Sequence, residues 1–277
     1  MRMYKLVFAD LDETLLADHH VPAVNLQAIN KAKQQGVKVI PCTGRGYDMT
    51  IDVLKELDQY DQTGEYLVGY NGALIMETKG PKELMFNGLE YELMKQIFEY
   101  GKNLDVCLMV FTTEGCYLFN ANEDEIQRKT RQKSNFKVME GYDIDFLKDQ
   151  RIAKINYENT DMAYMAKIKQ EIEPLVGDKV TVTASSSRYI EFNKKGVNKG
   201  VGLKWLADYL DVPIEETIGI GDNYNDIDMI KTAGLGACVA SAHQDIQDIS
   251  DYVAKRDYAD GSVAEVIEKF ILKNSAE

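Results

Sequence analysis

The 277-residue sequence predicts an α/β protein, a doubly wound parallel sheet that carries an inserted α+β domain. Two observations support this class. Short apolar runs alternate with segments of helical periodicity at both ends of the chain, as in parallel strands joined by crossover helices. The middle of the chain instead holds apolar runs separated by turns, which is typical of antiparallel hairpins. We therefore expect a core of residues 1–83 and 191–277, with residues 84–190 inserted as a cap domain.

The N-terminal elements alternate between strand and helix. YKLVFAD (4–10) is a nearly continuous apolar strand, and the helical segment after it has Pro22 in its first turn and Gly36 as its stop. VKVIPCTGR predicts a second strand and residues 47–57 a second helix. EYLVGYNGALIME predicts a third strand followed by an Asn71-Gly72 turn.

The middle and C-terminal elements complete this pattern. DVCLMVFTTEGCYLF predicts a hairpin around a Glu-Gly turn. The other middle elements are helices near 89–101 and 161–173 and strands at 151–157 and 179–193. The C-terminal alternation is predicted as helix 198–210, strand 217–222, helix 224–232, strand 236–240 and a last helix near 261–272.

Composition restricts the class of protein. No run approaches the roughly 18 apolar residues that a membrane helix needs, and the N-terminus has the pattern of a strand, not of a signal peptide. A net charge of −13 argues against nucleic-acid and anionic-membrane partners, although a metal and a few cations can still attract a phosphate locally. Four scattered cysteines favour reduced thiols. We therefore expect a cytoplasmic protein of unpredicted oligomeric state.

Four short polar stretches lie at the ends of predicted core elements. Asp10-Leu11-Asp12-Glu13-Thr14, Thr43-Gly44-Arg45 and Gly221–Asp226 follow strands, and Lys199 opens a helix. Ligands of an open α/β sheet bind outside the carboxyl ends of its strands. We therefore expect these four stretches to form one site.

The residue types in this predicted site suit phosphoryl transfer. Asp10 and Asp222 offer the hard oxygen ligands that Mg²⁺ prefers, and Lys199 supplies a fixed cation. Thr43 supplies a hydroxyl, and Gly44 a backbone N–H that an anion can approach closely. Phosphoryl transfer requires little beyond alignment and charge neutralisation around the transferred group.

Two acids separated by one residue can then have different roles. Asp10 can attack phosphorus as a nucleophile, because the metal and Lys199 reduce the repulsion between carboxylate and phosphate. Asp12 can donate a proton to the leaving oxygen and later accept one from water.

These motifs together resemble the haloacid dehalogenase superfamily. D-x-D-x-T, T-G-R, the later lysine and G-D-x-x-N-D occur here in that order over the full chain. The position of the insertion, between T-G-R and Lys199, and the segment YNGALI (70–75) resemble the Cof-type (class IIB) branch. The resemblance implies a cap that closes over the substrate, excludes bulk water and selects the leaving group.

The resemblance also implies a role for each matching residue. Asp10, Asp222 and the backbone carbonyl of Asp12 would bind Mg²⁺, and Asp226 would orient Lys199 or a metal-bound water. The phosphoryl group would contact Leu11, Thr43, Gly44, Lys199 and Asn225. The catalytic residues would thus be Asp10, Asp12, Thr43 and Lys199.

Some positions depart from the family pattern or leave alternatives open. Glu13 stands where the first motif commonly has glycine, and Cys42 where a small residue such as alanine is usual. Arg45 is a candidate for substrate binding, with pairing to a surface acid as the alternative. Arg188 is a candidate for contacting substrate from the cap.

These observations predict a Mg²⁺-dependent phosphatase. Its partners would be small phosphate esters, and the resemblance implies sugar phosphates or phosphorylated cofactors such as FMN or pyridoxal phosphate. A phosphomutase of phosphosugars and a non-catalytic protein that binds a phosphometabolite are the alternatives. A receiver-type phosphoacceptor is less favoured, because it would have no use for Asp12 or a large cap.

Overall fold

The computed structural model describes residues 3–272. The first part of the chain contains β1 (Leu6–Ala9), α1 (Ala23–Gln34), β2 (Lys38–Pro41), α2 (Ile51–Glu56), β3 (Tyr66–Gly69), β4 (Leu74–Glu77) and β5 (Lys82–Phe86). The middle contains α3 (Tyr91–Gly101), β6 (Cys107–Thr112), β7 (Cys116–Phe119), α4 (Glu123–Arg131), β8 (Phe136–Val138), β9 (Ile152–Glu158), α5 (Met162–Val176), β10 (Val180–Ser185) and β11 (Tyr189–Lys194). The last part contains α6 (Lys199–Tyr209), β12 (Thr217–Gly221), α7 (Ile227–Thr232), β13 (Leu235–Cys238), α8 (Gln244–Ile249), β14 (Tyr252–Val253) and α9 (Ser262–Ile267).

The chain divides into two compact units. One comprises the chain up to Arg45, Thr50–Met85 and the chain from Asn198 onward. The other comprises Gly46–Met49 and Phe86–Val197. Within residues 3–272, no helix is long and apolar enough to cross a membrane.

The first unit is built on a five-stranded sheet in the order β14-β13-β12-β1-β2. Neighbouring strands in this sheet are parallel. Strand β1 is fully buried, and its alternate side chains enter two different clusters. Val7 packs with residues of α1 and α9, whereas Phe8 packs with residues of α6 and α7. Helices thus cover both faces of a parallel sheet, and the predicted doubly wound α/β class is confirmed.

The second unit contains a six-stranded sheet in the order β10-β11-β9-β6-β7-β8. The predicted hairpin is present, because β6 and β7 pair antiparallel across the Glu-Gly turn. Residues 179–193, predicted as strand, form the antiparallel pair β10 and β11. One face of the sheet packs against α3 and α5. This unit is therefore α+β, as predicted.

Several elements of the structure were not predicted. Helix α4 has the sequence EDEIQRKTR and buries the charged residues Glu125 and Lys129, so it lacks the apolar face that identifies a helix in sequence. Strands β8 and β14 are only three and two residues long. The predicted helix 47–57 is a 3₁₀ turn at Asp48–Thr50 followed by α2.

The Asn71-Gly72 turn after β3 approaches the start of α6 closely. Gly72 has a φ of +95°, and a Cβ there would lie 2.3 Å from the carbonyl oxygen of Asn198. We expect Gly72→Ala to lower the free energy of unfolding by about 3 kcal/mol, because it adds both backbone strain and a steric overlap. Urea denaturation measures this change.

Gly36 provides the matched control for that substitution. It has a φ of +80°, yet no atom lies within 4 Å of the position that a Cβ would take there. Gly36→Ala should therefore lower the free energy of unfolding by only about 1 kcal/mol, the backbone contribution alone. Equal losses in the two variants would contradict the close approach at Gly72.

Candidate active site

The polar stretches that follow three core strands meet at one edge of the sheet. Asp10 follows β1, Thr43 follows β2 and Asp222 follows β12, and these strands are neighbours in the order β12-β1-β2. Because the strands are parallel, their carboxyl ends lie at the same edge. Lys199, the first residue of α6, reaches the same place.

Lys199 connects two of these stretches directly. Its side chain is fully buried, and Nζ lies 2.5 Å from Asp10 Oδ1 and 2.6 Å from Asp226 Oδ1. Asn198 caps the helix by accepting a hydrogen bond from the Val201 N–H, which fixes where α6 begins. The ammonium group is thus held between the end of β1 and the turn after β12.

The turn after β12 folds back on itself around Asp226. Asp226 Oδ2 accepts hydrogen bonds from the N–H groups of Asp222 and Asn223, both at 3.1 Å. A Cβ at position 221 would lie 2.4 Å from Asp226 Cβ, so only glycine fits before Asp222. Asp226 therefore uses one oxygen to hold Lys199 and the other to hold its own turn.

Thr14 was not assigned a role from the sequence, but it completes this cluster. Its Oγ1 donates to Asp222 Oδ1 at 2.8 Å, and both residues are buried. The loop that presents Thr14 closes through its own backbone, where the Thr14 and Leu16 N–H groups donate to the carbonyl of Leu11. Thr14 thus links the loop after β1 to the turn after β12.

The acids of the cluster are held in an unfavourable environment. Burial raises the pKa of Asp10 to about 7, with Lys199 opposing this shift and Asp226 adding to it. Burial and the neighbouring Asp10 and Asp226 raise the pKa of Asp222 to about 9. Burial lowers the pKa of Lys199, but Asp10 and Asp226 outweigh it and raise the pKa overall. One lysine therefore does not compensate all the negative charge here.

The donor set of this cluster fits a divalent cation. Carboxylate oxygens of Asp10, Asp222 and Asp226 lie within 4.8 Å of one another, and all three residues are buried. Hard oxygen ligands of this kind suit Mg²⁺. Both oxygens of Asp226 already accept hydrogen bonds, so Asp10 and Asp222 are the better placed ligands.

Asp12 and Arg45 form an ion pair in the same unit. The Arg45 guanidinium donates to both oxygens of Asp12, with Nε 2.9 Å from Oδ2 and Nη2 in contact with Oδ1. Asp12 is partly exposed, whereas Arg45 is 8% exposed. Arg45 thus pairs with Asp12, an acid of the predicted site. A bidentate guanidinium also fixes the orientation of the carboxylate.

Two of the remaining candidates for phosphoryl contact, Thr43 and Asn225, make hydrogen bonds within the same unit. Thr43 is buried, and its Oγ1 accepts from the Arg45 N–H at 3.2 Å, across Gly44. Asn225 Nδ2 donates to Asn71 Oδ1 at 3.2 Å. Asn71 was predicted only as a turn residue, and it has a left-handed φ of 56°. The turn of the YNGALI segment thus contacts a predicted site residue.

Glu13, Cys42 and Arg188 were also singled out from the sequence. Glu13 is exposed and has a φ of 60°, a conformation that favours the glycine usual there. Cys42 is buried, and burial raises the pKa of its thiol. Arg188 donates to Asp124 at 2.7 Å and lies near Glu125 and Glu158.

Comparison with known proteins identifies the class. The model of the haloacid dehalogenase-like hydrolases matches residues 7–267, so the chain belongs to this family and the predicted resemblance is confirmed. A haloacid dehalogenase-like hydrolase from B. subtilis has the same fold, with a TM-score of 0.86 and 23% identity over 96% of this chain and 100% of that chain.

Curated relatives of similar length narrow the class to phosphatases. The 5-amino-6-(5-phospho-D-ribitylamino)uracil phosphatase YcsE of Bacillus subtilis is 28% identical over 269 residues, which cover 97% of this chain and 96% of YcsE. The HMP-PP phosphatase of Yersinia pestis is 24% identical over 241 residues, which cover 87% of this chain and 85% of that protein. The chain is accordingly a phosphatase of this family.

Replacing Lys199 tests the buried ion pairs. We expect Lys199→Met to lower the free energy of unfolding by about 4 kcal/mol at pH 8, because it leaves buried carboxylates without a countercharge. The loss should be smaller at pH 5. Lys199 lowers the pKa of Asp10, so without it that acid is more readily protonated and neutral at low pH. Urea denaturation at the two pH values measures both effects.

Lys204→Met is the control on the same helix. Lys204 is exposed and pairs with Asp208 one turn away at 2.9 Å. Exposed pairs of this kind contribute about 0.4 kcal/mol. If Lys199→Met and Lys204→Met lowered the free energy of unfolding equally, this would contradict a stabilising role for the buried ion pairs of Lys199.

Proposed function

We propose that the protein is a Mg²⁺-dependent phosphatase that hydrolyses small phosphate monoesters through an aspartyl-phosphate on Asp10. The observation that supports this most strongly is the position of Lys199 Nζ, 2.5 Å from Asp10 Oδ1 within the buried acidic cluster. A carboxylate beside a fixed cation can approach an anionic phosphate, which an isolated aspartate would repel.

In the first step, Asp10 attacks phosphorus. A bond forms between a carboxylate oxygen of Asp10 and phosphorus, and the bond from phosphorus to the ester oxygen breaks. Asp12 donates its proton to that departing oxygen, which leaves as an alcohol. Lys199, Thr43 and the N–H groups of Leu11 and Gly44 donate to the oxygens of the phosphoryl group.

In the second step, water attacks the phosphorylated Asp10. Asp12 accepts a proton from this water, the bond from Asp10 to phosphorus breaks, and inorganic phosphate leaves. Arg45 acts as a positioning residue, because it holds both oxygens of Asp12. Asp226 positions Lys199, and Thr14 positions Asp222.

The proposed cation site uses the carboxylates of Asp10 and Asp222, together with the backbone carbonyl of Asp12. A divalent cation bound there would neutralise negative charge around the transferred phosphoryl group. The raised pKa values of Asp10 and Asp222 support this assignment, because burial and the neighbouring carboxylates disfavour their charged forms and Lys199 only partly opposes this.

The substrate class is proposed from the relatives and the charge of the chain. YcsE acts on a 5-phospho-D-ribitylamino compound, which is a small phosphorylated metabolite. We propose that this chain acts on substrates of comparable size, namely sugar phosphates or phosphorylated cofactors such as FMN or pyridoxal phosphate. Its net charge of −13 makes nucleic acid an unfavourable substrate.

Substitution of the proposed nucleophile tests the reaction. Asp10→Asn should reduce the rate of phosphate release by at least about 1,000-fold, because the amide cannot attack phosphorus. The fold should remain intact, since the amide keeps the shape of the carboxylate. Phosphate release from a panel of esters with Mg²⁺, together with circular dichroism, measures both.

Asp18→Asn is the matched control. Asp18 lies in the segment between β1 and α1, as Asp10 does, but its side chain is more exposed. This variant should retain the activity of the wild type. Full activity of Asp10→Asn would contradict the assignment of the nucleophile.

Cation binding should depend on pH. The pKa values of Asp10 and Asp222, about 7 and about 9, both exceed the ordinary value of 3.8. The cation-free protein therefore loses unfolding free energy as pH rises from about 4 to about 9, because the folded state must release protons from buried acids. Mg²⁺ binds the ionised carboxylates, so it should raise Tm more at pH 8.5 than at pH 5.5.

Thermal denaturation in EDTA and in MgCl₂ at each pH measures this effect. Asp222→Asn removes one proposed ligand and should abolish most of the Mg²⁺-dependent rise in Tm. Equal Mg²⁺ effects at both pH values, or in wild type and Asp222→Asn, would refute the proposed cation site.

A further inference from the structure

The turn that joins β3 and β4 has an unusual backbone. Tyr70, Asn71 and Gly72 have φ values of 49°, 56° and 95°, so three consecutive residues are left-handed. Left-handed residues ordinarily occur singly, and a bulky side chain such as that of tyrosine seldom adopts this conformation. Such a backbone persists only where its surroundings impose it, and it is most frequent at functional sites. The neighbours of this turn must therefore hold it in place.

The stretch that follows β2 holds the backbone of this turn. The Tyr70 N–H donates to the carbonyl oxygen of Arg45 at 3.0 Å, and the Asn71 N–H donates to that of Thr43 at 2.9 Å. The Thr43 N–H in turn donates to the carbonyl oxygen of Val68 in β3 at 2.9 Å. Tyr70 and Asn71 are both buried, so water competes little for these hydrogen bonds. The turn is therefore fixed to the residues on both sides of Gly44.

The start of α6 holds the turn from another side. Besides the close approach of Gly72 to the carbonyl oxygen of Asn198, a Cβ at Gly202 would lie 3.1 Å from the Gly72 Cα atom. Because backbone packs against backbone here, the turn cannot shift without moving the helix that Lys199 opens. All of these residues belong to the first unit. The turn is thus in contact with two of the four stretches that form the predicted site.

The side chain of Asn71 reaches a third stretch, the turn after β12. Its Oδ1 accepts a hydrogen bond from Asn225 Nδ2 at 3.2 Å. A primary amide has two donors on its nitrogen and an acceptor on its oxygen. The bond to Asn71 uses one donor of Asn225 and leaves the other available. It also opposes the flipped amide, in which the oxygens of Asn225 and Asn71 would face each other as two acceptors.

The orientation of the Asn225 amide matters because Asn225 is a predicted contact of the phosphoryl group. The N–H groups of an amide attract an anionic oxygen, whereas the amide oxygen repels it. An amide that is already fixed also loses less conformational entropy when the anion binds. The 3₁₀ turn Tyr224–Asp226 fixes the backbone of Asn225, and the hydrogen bond to Asn71 fixes its side chain.

We propose that Asn71 is a positioning residue, which holds the Asn225 amide in the orientation that donates to the phosphoryl oxygens. The left-handed backbone serves this role, because it carries the Asn71 side chain to Asn225 while its N–H groups bind the stretch after β2. This inference rests on the proposed phosphatase function, in which a phosphoryl group occupies the site. It adds a residue to which neither step of the proposed reaction assigns a role.

Asn71→Gly tests the side chain without disturbing the backbone. Glycine readily adopts the left-handed conformation and keeps the N–H that donates to Thr43. We expect KM for p-nitrophenyl phosphate and Ki for inorganic phosphate each to rise about tenfold, since a hydrogen bond to a charged group contributes roughly that much to binding. Asn225 would contact the phosphoryl group in substrate and product alike, so kcat should change less than about twofold.

A double-mutant cycle separates positioning from an independent effect. Asn225→Ala removes the amide that Asn71 holds, so it should raise KM at least as much as Asn71→Gly does. Adding Asn71→Gly to Asn225→Ala should then raise KM no further, because the two residues act through one contact. If the double variant instead shows the product of the two single changes in KM, Asn71 does not act through Asn225 and the proposal is wrong.

Asn120→Gly is the matched control for Asn71→Gly. Asn120 also has a left-handed φ, 51°, and its Nδ2 donates to the carbonyl oxygen of Val106 at 3.0 Å within the second unit. This variant should keep the wild-type KM and Ki, whatever its effect on Tm. A residue that only supports the fold would lower the amount of active enzyme, and hence kcat, with KM unchanged. That result for Asn71→Gly would contradict a positioning role.

Inorganic phosphate distinguishes a failure of this inference from a failure of the proposed function. If the wild type hydrolyses no ester, the phosphatase function fails, yet the contact can still be measured as the rise in Tm that phosphate causes in MgCl₂. A smaller rise in Asn71→Gly than in Asn120→Gly would then support the role of Asn71, and equal rises would refute it. A wild type with neither turnover nor a phosphate-dependent rise in Tm would overturn both proposals.

Discussion

The buried acidic cluster depends on one ammonium group that lies between two carboxylates. Lys199 is separated from Asp10 by 189 positions in the chain and from Asp226 by 27, yet its side chain contacts both. An ammonium ion in such a place is strongly destabilising unless carboxylates surround it closely. The end of β1, the start of α6 and the turn after β12 must therefore lie together. Gly72 and Gly221 allow the same close packing. A Cβ at position 72 would overlap the carbonyl oxygen of Asn198, and a Cβ at position 221 would overlap the side chain of Asp226.

The carboxyl groups of this cluster outnumber its one ammonium group. Burial and mutual repulsion raise the pKa values of Asp10 and Asp222. Keeping these acids away from water therefore lowers the free energy of unfolding. Such perturbed groups concentrate at functional sites, because reacting groups need the properties that poor solvation gives them. A divalent cation would supply the positive charge that the cluster lacks, and an anionic phosphate could then approach it. The same buried acids that lower the stability of the fold thus favour the binding of a cation.

The sequence predicted much of this arrangement because parallel strands end at a common edge. Asp10, Thr43 and Asp222 could be assigned to one edge because each follows a predicted parallel strand, and Lys199 because it opens a helix. The sequence could not predict that Arg45 pairs with Asp12, that Thr14 contacts Asp222, or that Asn71 contacts Asn225. Single hydrogen bonds between loops leave no periodic signal in a sequence. Helix α4 was missed for a related reason. Its buried positions include Glu125 and Lys129, which pair with each other at 3.1 Å instead of packing as an apolar stripe.

The proposed reaction requires that the phosphoryl group pass through Asp10. The sharpest test is to stop the wild-type enzyme with acid during turnover of a phosphate ester, digest it, and locate the bound phosphoryl group by mass spectrometry. We expect one phosphoryl group on the peptide that contains Asp10, on that residue, and its loss when the ester is exhausted before the acid is added. Turnover accompanied by a phosphoryl group on any other residue, or by none at all, would rule out this reaction.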